Sequence, residues 1–131
     1  MDNIEAFDYI VAKIFAKLYS KFPQKLTIDC DSFCEELEII DYTHEEKIKL
    51  CGATMIFLQE NDFIISRSPN NSTGFSYVSL TMKGLSALKS EPQSLKNNES
   101  IGKKLIKAVE SGSTDLAVHM AQNILNVLFK L

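Results

Sequence analysis

The 131-residue chain lacks an excess of basic charge: 14 lysines and arginines stand against 17 aspartates and glutamates, a formal charge of −3. A protein whose whole surface tracks nucleic acid carries the opposite balance, because counterion release needs several cations per contact surface. Any nucleic-acid footprint must therefore be local. No run approaches the 18 or so apolar residues a spanning helix needs. The opening MDNIEAFDYIVAKIF has early acids and a helical pattern where a secretory leader has a basic stretch and an apolar core, so the expected location is the cytoplasm. Cysteine is scarce and odd in number, at positions 30, 34 and 51, which suits a reducing compartment. The spacing of these thiols matches no zinc finger or ribbon, and core packing is their expected role. Only two histidines, His44 beside a helix start and His119 in a helix far along the chain, are available to activate a nucleophile, and nothing in the pattern brings either to a thiol. The five glycines are scattered, and no phosphate-binding loop or nucleophile elbow is spelled anywhere. An enzyme, a metal site and a bound cofactor are not expected.

What is present is amphipathic periodicity. Ile4, Phe7, Val11, Ile14 and Leu18 step by three and four and predict a helix over 3–21, stopped at Phe22-Pro23. Lys13, Lys17 and Lys21 share another of its faces. Lys25 to Ile28 reads as a short extended piece. Asp29 or Asp31 can cap a second helix to about Glu38, with Phe33 and Leu37 pointing inward. Thr43-His44-Glu45-Glu46 is a capping box that opens a third helix to about Asn61, its buried face formed by Ile48, Cys51, Met55 and Leu58.

Phe63–Arg67 and Phe75–Leu80 predict two strands around the turn-rich loop 68–74. The alternation in the second strand does not decide which residues face inward. Thr81 caps a helix to about Lys89. Residues 90–100, SEPQSLKNNES, are linker-like. Ser100 can start a fifth helix bearing Ile101, Leu105 and Val109, and Gly112 stops it. Ser113 or Thr114 starts the last helix, in which Ala117, Ala121, Ile124, Leu128 and Leu131 form a heptad-like stripe widened by Met120 and Val127. The fold class expected is α+β, mostly helical, with a domain over 1–89, a linker over 90–100 and a helical extension over 101–131.

The order helix, short strand, helix, turn, helix, strand, loop, strand resembles the winged-helix superfamily over residues 3–89. The resemblance is carried by DSFCEELEIIDYTHEEKIKLCGATMIFLQEND, by the hairpin FIISRSPNNSTGFSYVSL and by the closing LTMKGLSAL, similar to the Leu-Thr-x-Lys-Gly phrase that follows many wings. It implies a winged helix-turn-helix with a two-stranded wing. It also implies DNA binding by the third helix in the major groove, with the wing on phosphate. Carried onto this chain, the contacts fall on Lys47, Lys49 and Thr54, with His44 and Glu45 beside them, and on Arg67, Asn70, Asn71 and Ser72 of the wing.

Local charge argues against that function. Between Asp29 and Glu60 stand nine acids (Asp29, Asp31, Glu35, Glu36, Glu38, Asp41, Glu45, Glu46 and Glu60) and only two cations, Lys47 and Lys49. Helix-start capping accounts for Glu46 and one aspartate. The remainder points to a non-catalytic protein-interaction module whose face is Glu35, Glu36, Glu38, Glu45 and Glu46. A DNA-binding transcriptional regulator is the alternative. The last helix ends in NVLFKL, with apolar residues on more than one face, which favours a homodimer with its seam at Ala117, Ala121, Ile124, Leu128 and Leu131. The lysines of the first helix, and Lys96, Lys103, Lys104 and Lys107, are either a solvated face or a complement to an acidic partner.

Overall fold

The computed structural model describes residues 1–67, 74–90 and 99–129. Helix α1 (Asn3–Lys21) begins where Asp2 accepts the Glu5 N–H and ends at Phe22, whose ψ of 136° turns the chain out of the helix. A short β1 (Leu26–Asp29) leads directly into α2 (Cys30–Cys34), with the Asp29 carboxylate accepting the Asp31 N–H. This helix is shorter than the periodicity suggested: it stops at Cys34, and residues 35–43 run through turns to the next cap. Helix α3 (His44–Glu60) opens on the capping box, in which Thr43 accepts the Glu46 N–H at 3.1 Å and Glu46 accepts the Thr43 N–H at 2.9 Å. Then come β2 (Ile64–Arg67), β3 (Gly74–Leu80), α4 (Met82–Lys89), α5 (Ile101–Glu110) and α6 (Thr114–Phe129). Gly112, at φ +79°, closes α5 with a left-handed residue that a side chain would disfavour.

The three strands form one antiparallel sheet in the order β1-β3-β2, so the last strand in sequence is central. β3 carries one extra residue against both neighbours. Leu26 pairs with Val78 but Ile28 with Phe75, and Ile65 pairs with Ser79 but Arg67 with Ser76. The bulge is centred on Tyr77, at φ +54°, an unusual backbone state for a bulky residue. It explains why strict alternation could not assign the faces of this strand. Phe75 lies inward before the bulge, Val78 and Leu80 lie inward after it, and Tyr77 is thrown outward.

Helix α1 is the axis of the core. It packs against α6, α5, α3 and the sheet, and its buried residues extend around most of its circumference. Helices α5 and α6 therefore share a core with residues 1–67 and 74–90. Ala117, Ala121, Ile124 and Leu128 are buried in their own chain against that core, which corrects the expectation that they form a free dimer seam. Leu131 lies outside the described residues. Asp8 of α1 is buried at the same junction, where its carboxylate accepts the Gln122 amide at 3.1 Å. Desolvation raises its pKa above the ordinary value, and the nearby Asp2 and Glu5 push in the same direction while the Gln122 bond opposes them. Among the described residues, no helix is long and apolar enough to cross a membrane.

Candidate functional site

The capping box fixes the start of α3, and its core stripe of Cys51, Met55 and Leu58 fixes the roll of the helix. Those two constraints decide which side chains reach solvent. Glu45, Glu46, Lys49, Ala53, Ile56, Phe57 and Glu60 are exposed. Sequence periodicity identified the buried stripe but passed over Ile56 and Phe57, whose signal was a helix with more apolar residues than one face can hold. The Phe57 ring meets Phe7 of α1 edge to face at 5.5 Å, which closes one end of an apolar groove between the two helices.

Several expected contact residues have other duties. Thr54 is buried, and its hydroxyl donates to the Leu50 carbonyl at 2.7 Å, so the hydroxyl is not free to bond a base or a phosphate. The Lys47 ammonium donates to the Leu37 carbonyl at 3.1 Å and ties α3 to the preceding turn. Lys49, the other lysine of α3, makes no such tie among the described residues. His44 meets the Asp31 carboxylate at 2.6 Å, which links the start of α3 to α2.

The acidic residues are placed differently. Glu35, Glu36, Glu38 and Glu45 are exposed, and Glu46 is exposed at the helix start, where the Thr43 backbone N–H holds its carboxyl below the usual range. The turn between α2 and α3 also carries Ile40, whose side chain is 97% exposed, a placement that core packing cannot explain. The result is an acidic surface with apolar residues set into it.

The sheet contributes two cations, each held by a neighbour on β3. The Lys25 ammonium donates to the Ser79 hydroxyl at 3.1 Å, and the Arg67 guanidinium stacks over the Tyr77 ring at 4.2 Å. The bulge makes the second contact possible, because it turns Tyr77 toward the face that Arg67 occupies. Asn70, Asn71 and Ser72, expected as wing contacts, lie outside the described residues.

Cys30, Cys34 and Cys51 are all buried and come together between α2 and α3. Burial, aided by the nearby Cys30, pushes the Cys34 thiol up to about 11, while the hydrogen bond to Cys30 followed by burial pushes Cys51 upward as well. Thiols held protonated in this way are poor nucleophiles and poor metal ligands. Among the described residues, no group of three or more His, Cys, Asp or Glu side chains is arranged to hold a metal ion.

Comparison of the chain with protein-family models, with curated proteins and with solved structures finds no match.

Proposed function

We propose that the protein is a non-catalytic winged-helix module that recognises a protein partner through the acidic and apolar solvent face of α3, and that it works as a homodimer in the cytoplasm. The winged-helix assignment is supported by the order α1-β1-α2-α3-β2-β3-α4 and by a sheet in which β3, the second strand of the hairpin, is central. In that arrangement α3 is the helix a DNA-binding relative would lay in the major groove.

One observation carries the functional reading. The solvent face of α3 presents Glu45, Glu46, Ala53, Ile56, Phe57 and Glu60, with Lys49 as its single cation left untied among the described residues. Carboxylates beside phosphate are repelled, and exposed aromatic and aliphatic side chains are what protein interfaces bury. The dimer seam moves from the buried stripe of α6 to its flank, where Leu116 is exposed and Met120 and Val127 are half-buried at helical spacing.

A second reading, a DNA-binding transcriptional regulator, is favoured by the sheet face, which combines Lys25, Arg67 and Tyr77. The two readings separate by charge reversal. Under the first, the native chain is not retained on duplex DNA, and the pair of changes Glu45→Lys and Glu60→Lys confers retention by removing the repulsion. DNA retention by the native chain that falls in Lys49→Ala or Arg67→Ala would overturn it.

A further inference from the structure

We infer that the groove between the first turns of α1 and the middle of α3 receives an amphipathic helix of a partner protein, one with an apolar stripe and with lysine or arginine at both of its ends. The inference rests on the protein-facing reading of α3 and gives that face a ligand class.

The groove encloses about 360 Å³ and is lined by Asn3, Ile4 and Phe7 on one wall and by Leu50, Ala53, Thr54 and Phe57 on the other. Ile4 is 60% exposed and Phe57 39%, although both helices are otherwise docked into the core. On α3, Glu46, Leu50, Ala53, Phe57 and Glu60 step 4, 3, 4 and 3. This is the spacing of a helix-pairing seam, here turned toward solvent. A small-molecule site needs several convergent polar groups to orient its ligand. The lining offers little of that kind: Asn3 is at the edge, and the Thr54 hydroxyl is already committed to the Leu50 carbonyl. A bare apolar trough between two helices instead fits the insertion of side chains at i, i+3, i+4 and i+7 of a third.

Charge decides the character of that third helix. The seam begins at Glu46 and ends at Glu60, and Asp2 caps α1 just before Asn3 and Ile4 of the groove wall. The two glutamates lie 14 residues apart on α3, about 21 Å at the α-helical rise. A partner helix of about four turns with a cation near each end would neutralise both ends while its apolar stripe fills the middle. An acidic helix of equal apolarity would meet like charge at both ends.

The test uses the full chain and two synthetic helical peptides of ~16 residues that share one leucine stripe. One carries lysines at its ends and the other glutamates. Binding is read by fluorescence anisotropy and located by amide chemical shifts. The lysine peptide is expected to bind about tenfold or more tightly than the glutamate peptide, with shifts centred on residues 4, 7, 50, 53 and 57. Ile4→Asp and Glu60→Lys, both at exposed positions and both checked for an unchanged melting temperature, should each weaken it about tenfold.

Failure to bind the lysine peptide at roughly millimolar concentration overturns the groove assignment. So does binding that Ile4→Asp leaves unchanged with shifts at residues 35–41. In that second case the protein-facing reading stands and only the groove fails. Retention of duplex DNA through Lys49 and Arg67, with no peptide binding, removes both.

Discussion

Gly84→Ala should loosen the closure of α4 on the hairpin, and the structure gives the size of the effect. A Cβ at this position would lie 2.5 Å from the Phe63 backbone carbonyl oxygen and 3.4 Å from a Leu80 methyl. The carbonyl cannot retreat freely, because it accepts the Thr81 N–H at 3.2 Å. The helix cannot tilt freely either, since the Thr81 hydroxyl accepts the Gly84 N–H at 3.0 Å and donates to the Asp62 carbonyl at 2.6 Å. Overpacking costs about 1–3 kcal/mol; a 2.5 Å approach to fixed backbone belongs in the upper part of that range, about 2–3 kcal/mol, and alanine regains at most about 1 kcal/mol of helix propensity. The net is a loss of about 1–2 kcal/mol, or a fall in melting temperature of roughly 4–8 °C for a domain of this size. Thermal unfolding followed by circular dichroism measures it, with Ser86→Ala at an exposed position of the same helix as the control. An unchanged or raised melting temperature in Gly84→Ala would show that α4 does not press on the strand as described.

Other expectations follow from the same packing. Asp8 has its carboxyl pKa raised above the ordinary 3.8 by burial, so the folded chain binds more protons than the unfolded one just above that pH. Stability should fall as pH rises through this window, and Asp8→Asn should flatten that slope and raise the melting temperature at neutral pH. A melt showing the opposite slope would contradict the buried placement. Cys34, with its thiol pushed up to about 11, and Cys51 should resist iodoacetamide at pH 8 in the native chain and react at once in denaturant, as mass spectrometry would show. Rapid native labelling would refute the buried cluster. Leu128→Asp places a charge in the core and should unfold the chain, at a cost above ~3 kcal/mol. On the proposed pairing, Leu116→Asp on the exposed flank should stay folded and halve the mass in solution; an unchanged mass would place the seam elsewhere.

The helices were legible in the sequence because their signals are local. The proline after Phe22, the capping box at Thr43 and the caps at Thr81 and Ser100 each act within a few residues, and each appears where the pattern placed it. The strand Gly74–Leu80 was legible as a strand but not in its facing, because the bulge at Tyr77 breaks the two-residue period. The second helix was overextended: Phe33 and Leu37 are both buried, but Leu37 is reached through a turn and not a helical step.

The contact residues were less legible, because whether a polar side chain is free depends on neighbours distant in sequence or on its own backbone. Lys47 is tied to Leu37, and Thr54 is turned inward to the Leu50 carbonyl. The stripe Ala117, Ala121, Ile124 and Leu128 was expected at a seam between chains because the nearly all-round burial of α1, which takes it up, is a property of the packed chain.

The central claim, that α3 faces protein and not nucleic acid, is tested most directly by equilibrium binding of the native chain, at known solution mass, to random duplex DNA titrated in salt. No retention is expected even at ~50 mM salt, where phosphate contacts are strongest. Binding at low salt that weakens steeply as salt rises, and weakens further in Arg67→Ala, would contradict it.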